Sequence, residues 1–460
     1  MGEKDSGEHG ESGEHREPRY AELDAQIDRY LETNWNDVLA DMAKLIEVPS
    51  TEDLAAAAKG APFGPGPREA LTRALAIAQA KGFDAHDVDG YIGYADYRGE
   101  SDTQIGIIGH VDVVSAGPGW SVDPYALTLR DGYVLGRGTS DDKGPLVVAL
   151  HAVSFWREKL AAEGRLPRYT VRVLFGANEE TNMVDVAYYR ERFPDPAFLF
   201  TPDAEFPLGY GESGCCVGEL SAALDENGTI IDITGGAATN AVPGEAHAFV
   251  RASGALPPAA GINVTAYEDG IARIDATGKS AHASTPELGE NAIAKLVDYL
   301  LDNDLCSKAE RAFLQLEQDL LDDITGRAVG VDADDRHFGA LTVVGGTISV
   351  RDGRIVQTLD FRYPTTTTAR RIEEKLAPRA QAAGAAFAMV HDKKPFLMNP
   401  NSAAVSALMD AYDHVAGRAA KPFAMKGGTY ARMFEHAVSF GPEEPGEPAP
   451  SWVGGMHGPD

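Results

Sequence analysis

Five side chains of metal-ligand type recur along the chain, each closing or following an apolar, strand-like run. They are His110 in GHVDVV, Asp141 in GRGTSDDKGP, Glu180 in NEET, Asp203 in TPDAEFP and His457 in GGMHGPD. Two imidazoles and three carboxylates are a full ligand set for two divalent metals that share one bridging carboxylate. Zinc suits these donors, and manganese or cobalt can replace it. Paired cations make water a nucleophile at neutral pH, so the pattern implies a metallohydrolase. Glu179, beside Glu180, is then left to act as the base: adjacent residues cannot share a direction on regular structure, so one can bind metal while the other points at the water.

Each piece is weaker alone than in the set. His110 and Asp112 lie two apart in an extended segment and face the same way, so Asp112 could orient the second ring nitrogen of His110. The run from Gly136 to Gly144 is rich in turn-forming glycine. A phosphate loop is disfavoured there, because GxxxxGK[ST] is missing and consecutive aspartates repel phosphate unless a cation intervenes. The glutamate pair also suits a helix start, and Asp203 a helix cap, although Phe206-Pro207 does not continue as a helix. Further polar groups mark chain breaks: Asn240 in TNAVP, His282 in GKSAHASTP, Arg362 in LDFRYP, and Gly427, Gly428 and Thr429 ahead of Tyr430.

The elements that must position these residues follow from hydrophobic spacing. Leu23 to Ile46 repeats at three and four residues and predicts a helix that ends before Pro49. A second helix is expected over residues 67–81, with others at 144–159 and 183–192. Between them lie short apolar strands at 104–108, 169–175 and 197–200. Strands buried on both faces and alternating with helices imply an α/β domain with a mostly parallel sheet. In such sheets ligands bind beyond the carboxyl ends of the strands. His110, Glu179, Glu180 and Asp203 each fall just there, which is why residues so distant in sequence are expected to converge.

The texture changes near Gly211. Residues 212–394 read as an inserted α+β domain with a hairpin over 341–363, turning at Arg351-Asp352-Gly353, and helices at 291–303 and 370–383. The chain then returns to the first domain, 19–211, through 395–460, with a helix at 402–416. Residues 1–18 are rich in Gly, Glu and Ser and read as a disordered acidic tail. At 460 residues the chain is long enough for two domains, and its net charge of −29 argues against nucleic acid and anionic membrane surfaces. Three cysteines, two of them adjacent, fit a reduced cytoplasmic protein, and no secretory signal or membrane span is read.

Taken together, GHVDVV, GRGTSDDKGP, NEET, TPDAEFP, GKSAHAS and GGTYAR resemble, in order, the dizinc metallopeptidase family of aminoacylase, carnosinase and carboxypeptidase G. They are most similar to its peptidase V-type dipeptidases, from about Tyr20 to His457. The resemblance implies a zinc-exopeptidase-like catalytic domain with the inserted domain as a lid. It implies one Zn²⁺ on His110, Asp141 and Asp203, and a second on Asp141, Glu180 and His457. Asp141 would bridge, and its bond to Asp142 would be cis. Asp112 would orient His110, and Glu179 would be the general base. His282 would complete an oxyanion hole, Asn240 would contact the substrate nearby, and Arg362 would pair with the substrate's terminal carboxylate, with the Gly427–Tyr430 backbone at the same end. The implied substrate is a dipeptide or short peptide and the implied state a monomer. An N-acyl-amino-acid deacylase of the same family and a catalytically silent binding or scaffold protein are the competing readings. The chain departs from the family's pattern at Asp460, three residues after His457, where members usually continue into a further helix.

Overall fold

The computed structural model describes residues 20–267, 269–446, 449–450 and 452–460, so the segment 1–18 lies outside the described residues. The chain divides into two compact units. One takes the residues up to Tyr210 with Leu397–Phe423 and Gly428–Asp460, and the other takes Gly211–Phe396 with Ala424–Gly427.

The first unit is α/β. The strand Ser101–His110 is parallel to Tyr169–Gly176 on one side and to Phe198–Thr201 on the other, and Phe198–Thr201 is parallel to Ala437–Ser439. The order follows from burial: Ile107, Val173, Phe175 and Leu199 are almost fully enclosed, as strands covered on both faces must be. The hairpin of Asp84–Val88 and Ile92–Tyr97 adds to this sheet antiparallel through Tyr169–Gly176. The sequence reading does not anticipate that hairpin, although Asp89-Gly90 at its tip is a turn signal.

Helices Ala21–Ile46, Pro65–Ala80 and Lys143–Ala162 bury their apolar stripes (Leu45, Leu71, Leu150 and their neighbours) on the Val173 and Phe175 face of the sheet. On the opposite face of the same strand Arg172 forms a two-pronged pair with Asp96 (2.7 and 2.8 Å) and reaches the Tyr189 hydroxyl of helix Val184–Arg190 (2.8 Å). The pair joins two register partners across the sheet. Removing one member of such a buried pair typically costs about 3–5 kcal/mol.

One buried cation ties the helices to the site. Lys143, the first residue of its helix, donates to the carbonyls of Leu45 (2.9 Å) and Val48 (2.7 Å) at the end of the first helix. It satisfies the Val48 carbonyl just past the helix end and gives the Leu45 carbonyl a second donor beside the Val48 N–H. Burial pushes its ammonium down to about 7.

The second unit is α+β. Its large sheet has eight strands, Ile262–Ala266, Ile271–Thr277, Glu245–Arg251, Ile230–Gly235, Thr342–Arg351, Arg354–Tyr363, Gly214–Ala223 and Ala385–Lys393 in spatial order, all paired antiparallel. Alternate residues are buried, as in Glu245–Arg251 and Gly214–Ala223. Helices Ala292–Asp302, Lys308–Leu321 and Ala369–Ala382 contribute to the core that forms there. Helix Lys308–Leu321 begins with a capping box of Ser307 and Glu310 and is absent from the sequence reading. That reading also keeps residues 395–460 whole in the first domain. Ala424–Gly427 instead pack with the second unit, where Ser213 N–H donates to Met425 O (2.9 Å) and Arg362 to Lys426 O (3.2 Å).

Glu317, on helix Lys308–Leu321, is fully buried with neither carboxylate oxygen hydrogen-bonded. Burial raises its carboxyl from 4.5 to about 8. The folded state therefore holds a proton that the unfolded chain releases above 4.5. The contribution of this group to stability should be fullest below 4.5 and fall by about 1.4 kcal/mol per pH unit as pH rises toward 8. Glu317→Gln should flatten this slope and raise the denaturation midpoint at pH 8, measured by urea unfolding across that range. An unchanged slope in the variant contradicts the assignment.

Candidate metal centre

Strand ends bring His110, Glu179, Glu180 and Asp203 together in the first unit. His110 is the last residue of its strand and pairs in register with Gly176, so the turn carrying Glu179 and Glu180 leaves the neighbouring strand at the same level. Asp203 follows Phe198–Thr201 by two residues. Asp141 and Asp142 lie directly before helix Lys143–Ala162, and the peptide bond between them is cis.

Asp141 is the hub. Its Oδ1 is 2.9 Å from His110 Nε2, and its Oδ2 is 3.0 Å from His457 Nε2. Asp203 Oδ1 is 3.8 Å from the same His110 nitrogen, while Glu180 Oε2 is 3.3 Å from the His457 nitrogen. Ligand atoms of His110, Asp141 and Glu180 lie within 4.8 Å of one another, and so do those of His110, Glu179 and Asp203. His110, Asp112, Asp141 and Asp203 are buried, whereas the His457 side chain is 54% exposed.

Asp112 differs from expectation. His110 Nδ1 meets its backbone carbonyl at 2.9 Å and its carboxylate only at 3.5 Å. The carboxylate is drawn instead to the Glu180 N–H, which donates to Asp112 Oδ2 at 3.1 Å. The residue thus orients the imidazole through its main chain and the glutamate turn through its side chain.

Four residues support the centre in roles that the sequence reading does not give them. Asp142, fully buried, accepts from the His110 N–H (3.1 Å), and a side chain on Gly109 would collide with it, since an added Cβ would lie 2.3 Å from Asp142 Oδ2. Asp185 accepts from the N–H groups of Ala177 (2.8 Å) and Asn178 (3.2 Å) and from the Tyr430 hydroxyl. Tyr430 stands edge-on to the His110 ring, with 6.3 Å between centroids, in the space that Gly176 leaves open. The fourth, Arg137, holds the loop of His457: it donates to Met456 O (2.7 Å) and His457 O (3.0 Å). Two carried a signal: Asp142, as the second acid of the Asp-Asp pair, and Tyr430, in the GGTYAR run.

The electrostatics are those of an anionic pocket. Burial raises Asp203 to about 7, raises Glu180, and pushes Glu179 and Asp142 well above the carboxylate range. Burial would raise Asp141 too, but hydrogen bonds from His110 and His457 hold it low. His457 is lifted to about 10 by its bonds to Asp141 and Glu180. For His110, burial works downward, and the contacts to Asp112, Asp141 and Asp203 overcome it. Asp112 Oδ1, Asp142 Oδ1 and Glu179 Oε1 are buried without a hydrogen-bond partner. Negative charge this poorly compensated is what divalent cations neutralise, and the His and carboxylate donors fit them.

The residues predicted in the inserted segment belong to the second unit. Strands Ala241–Val242 and Ala281–His282 pair, with Ala241 opposite His282, and Asn240 O accepts from the Ala283 N–H (2.9 Å), so Asn240 and His282 are neighbours. The Ser284 N–H donates to His282 Nδ1 (3.2 Å), which in the neutral ring leaves the proton on Nε2. Arg362 is buried against Asp360 (2.7 and 3.1 Å) and Lys426 O. Gly427 belongs to the second unit, Gly428 and Thr429 to the first, and Thr429 caps the short turn Tyr430–Met433.

Residues 106–460 match the model of peptidase family M20/M25/M40. The chain is 30% identical over 444 residues to a Beta-Ala-Xaa dipeptidase of Lactobacillus delbrueckii subsp. lactis, covering 91% of each. In fold it is similar to human carnosine dipeptidase 1 (TM-score 0.56, 15% identity, 92% of each chain). It is likewise similar to the aminoacylhistidine dipeptidase of Vibrio alginolyticus (TM-score 0.54, 13% identity, 95% of this chain and 92% of that one). The chain belongs to peptidase family M20/M25/M40.

Proposed function

We propose that the chain is a metallo-dipeptidase whose two cations are shared by Asp141. The observation that carries this is the division of Asp141: one oxygen faces His110, the other His457, and each imidazole has a second carboxylate of its own, Asp203 or Glu180. His110, Asp141 and Asp203 would hold one ion, and Asp141, Glu180 and His457 the other. Zinc is the metal assigned, with manganese or cobalt as substitutes for the same donors. The preference for dipeptides is supported by the relative at 30% identity over nine-tenths of the chain.

When bound, such ions polarise the scissile carbonyl and lower the pKa of water from ~15.7 toward ~7. Glu179 takes the proton of the attacking water. Its burial suits it to hold that proton and then deliver it to the leaving amine. The second unit is assigned the part of a lid, with Asn240 as a substrate contact and His282, protonated on Nε2, as the donor to the developing oxyanion. Arg362 is assigned the substrate carboxylate, for which its NH1 would exchange the Lys426 carbonyl, while Asp360 keeps the guanidinium oriented. Gly427, Gly428 and Thr429 would line the same end of the substrate.

No helix among the described residues is long and apolar enough to cross a membrane. We assign the enzyme to the cytoplasm as a monomer acting on small peptides.

Two measurements test this reading. Against matched panels, the zinc-loaded protein should hydrolyse dipeptides and leave N-acetyl amino acids intact; turnover of the N-acetyl panel alone would make it a deacylase, and turnover of neither a silent homologue. Glu179→Ala should retain the metal and lose roughly a hundred- to ten-thousandfold in kcat. A near-normal rate in that variant excludes Glu179 as the base.

A further inference from the structure

His457 is the least enclosed of the convergent side chains, yet it faces two carboxylates at 3.0 and 3.3 Å. Something other than packing of its ring must hold it there. Three positions on, the Asp460 carboxylate accepts from the Ser121 N–H, and among the described residues the buried side chain that bonds the main chain of His457 itself is Arg137. The residue is 2% exposed, and its guanidinium donates through NH1 to Met456 O (2.7 Å) and through NH2 to His457 O (3.0 Å), with a weaker contact to Ala116 O (3.4 Å). Arg137 is itself fixed: its N–H donates to Pro124 O (2.8 Å), and glycines at positive φ flank it, Gly136 at 149° and Gly138 at 94°. The same segment carries Asp141 four residues later. One turn therefore carries both the hub carboxylate and the arginine fork that bonds the main chain of the opposing histidine.

We propose that Arg137 is the positioning residue of the second cation position: it fixes the His457 main chain so that Nε2 stands opposite Asp141 Oδ2. This rests on the two-cation reading above. It goes against what charge alone would do, because a guanidinium in the field of Asp141 and Glu180 competes with a cation for the same negative potential. Removing the charge without removing any positioning should tighten cation binding. Removing the fork should weaken it.

The opposite signs make the test sharp. Chelator-stripped full-length protein is titrated with Zn²⁺ by calorimetry, and the apo thermal midpoint is recorded alongside. The wild type should bind two ions, and His457→Ala identifies which of them depends on the histidine. Arg137→Met should bind that ion at least tenfold more weakly while the other changes less than twofold. In the His457→Ala background Arg137→Met should add nothing. Arg137→Lys keeps the charge but loses the two-pronged geometry, and should also weaken the His457-dependent ion; it carries the test should Arg137→Met not fold.

An unchanged or tighter second ion in Arg137→Met overturns the proposal. So does equal weakening of both ions with a lower apo midpoint, which marks a general structural role. A wild type that binds fewer than two ions instead removes the two-cation reading itself, an outcome distinct from either.

Discussion

Negative charge buried without compensation is the constraint on which this molecule depends. Asp141, Asp142, Glu179, Glu180 and Asp203 crowd two imidazoles at the carboxyl end of a sheet, and Asp142 and Asp203 are almost wholly removed from water. Isolated buried carboxylates are untenable: they take up protons, pair or bind cations. The upward displacement of Asp203, Glu180, Glu179 and Asp142 is the protonation answer. Divalent cations are the chemical one, and their binding free energy then becomes part of the stability of the fold.

The scaffold serves that concentration of charge. Parallel strands end together, so three of the contributing segments leave the sheet at one edge without any special turn to guide them. What tunes the last ångströms is a ring of buried polar contacts: Asp142 on the His110 amide, Asp112 on the Glu180 amide, Asp185 and Tyr430 beneath the Glu179 turn, and Lys143 at the helix start. Each satisfies a main-chain group that would otherwise be buried and open, and each does so by holding a segment that carries a chemical side chain. Stability and positioning are thus the same hydrogen bonds.

Much of this was legible in the sequence because metal chemistry uses few residue types. The strands at 101–110, 169–176 and 198–201 announce themselves as apolar runs, and the carboxylates just beyond them stand out against that background. The hairpin at 84–97 did not, because its exposed outer strand, DAHDV, lacks an apolar run, and only Asp89-Gly90 marked it. Helix Lys308–Leu321 carried a legible cap, Ser307 with Glu310, that went unread. The roles of Asp185, Tyr430 and Arg137 were illegible for a different reason: Asp185 and Tyr430 meet across 245 residues, Arg137 bonds carbonyls more than 300 residues away, and Asp185 also takes main-chain N–H groups, so none of these partnerships leaves a local pattern in the side-chain string. The Asp112 contact shows the same limit, since spacing placed it behind His110 but could not say that its carbonyl, not its carboxylate, would face the ring.

The central claim is that Asp141 is one carboxylate shared by two cations. Anomalous diffraction at the zinc edge from crystals grown with Zn²⁺ tests it most directly. The account predicts two peaks, one beside His110 and Asp203 and one beside His457 and Glu180, each in contact with a different oxygen of Asp141. A single peak, or two peaks of which Asp141 touches only one, would contradict it.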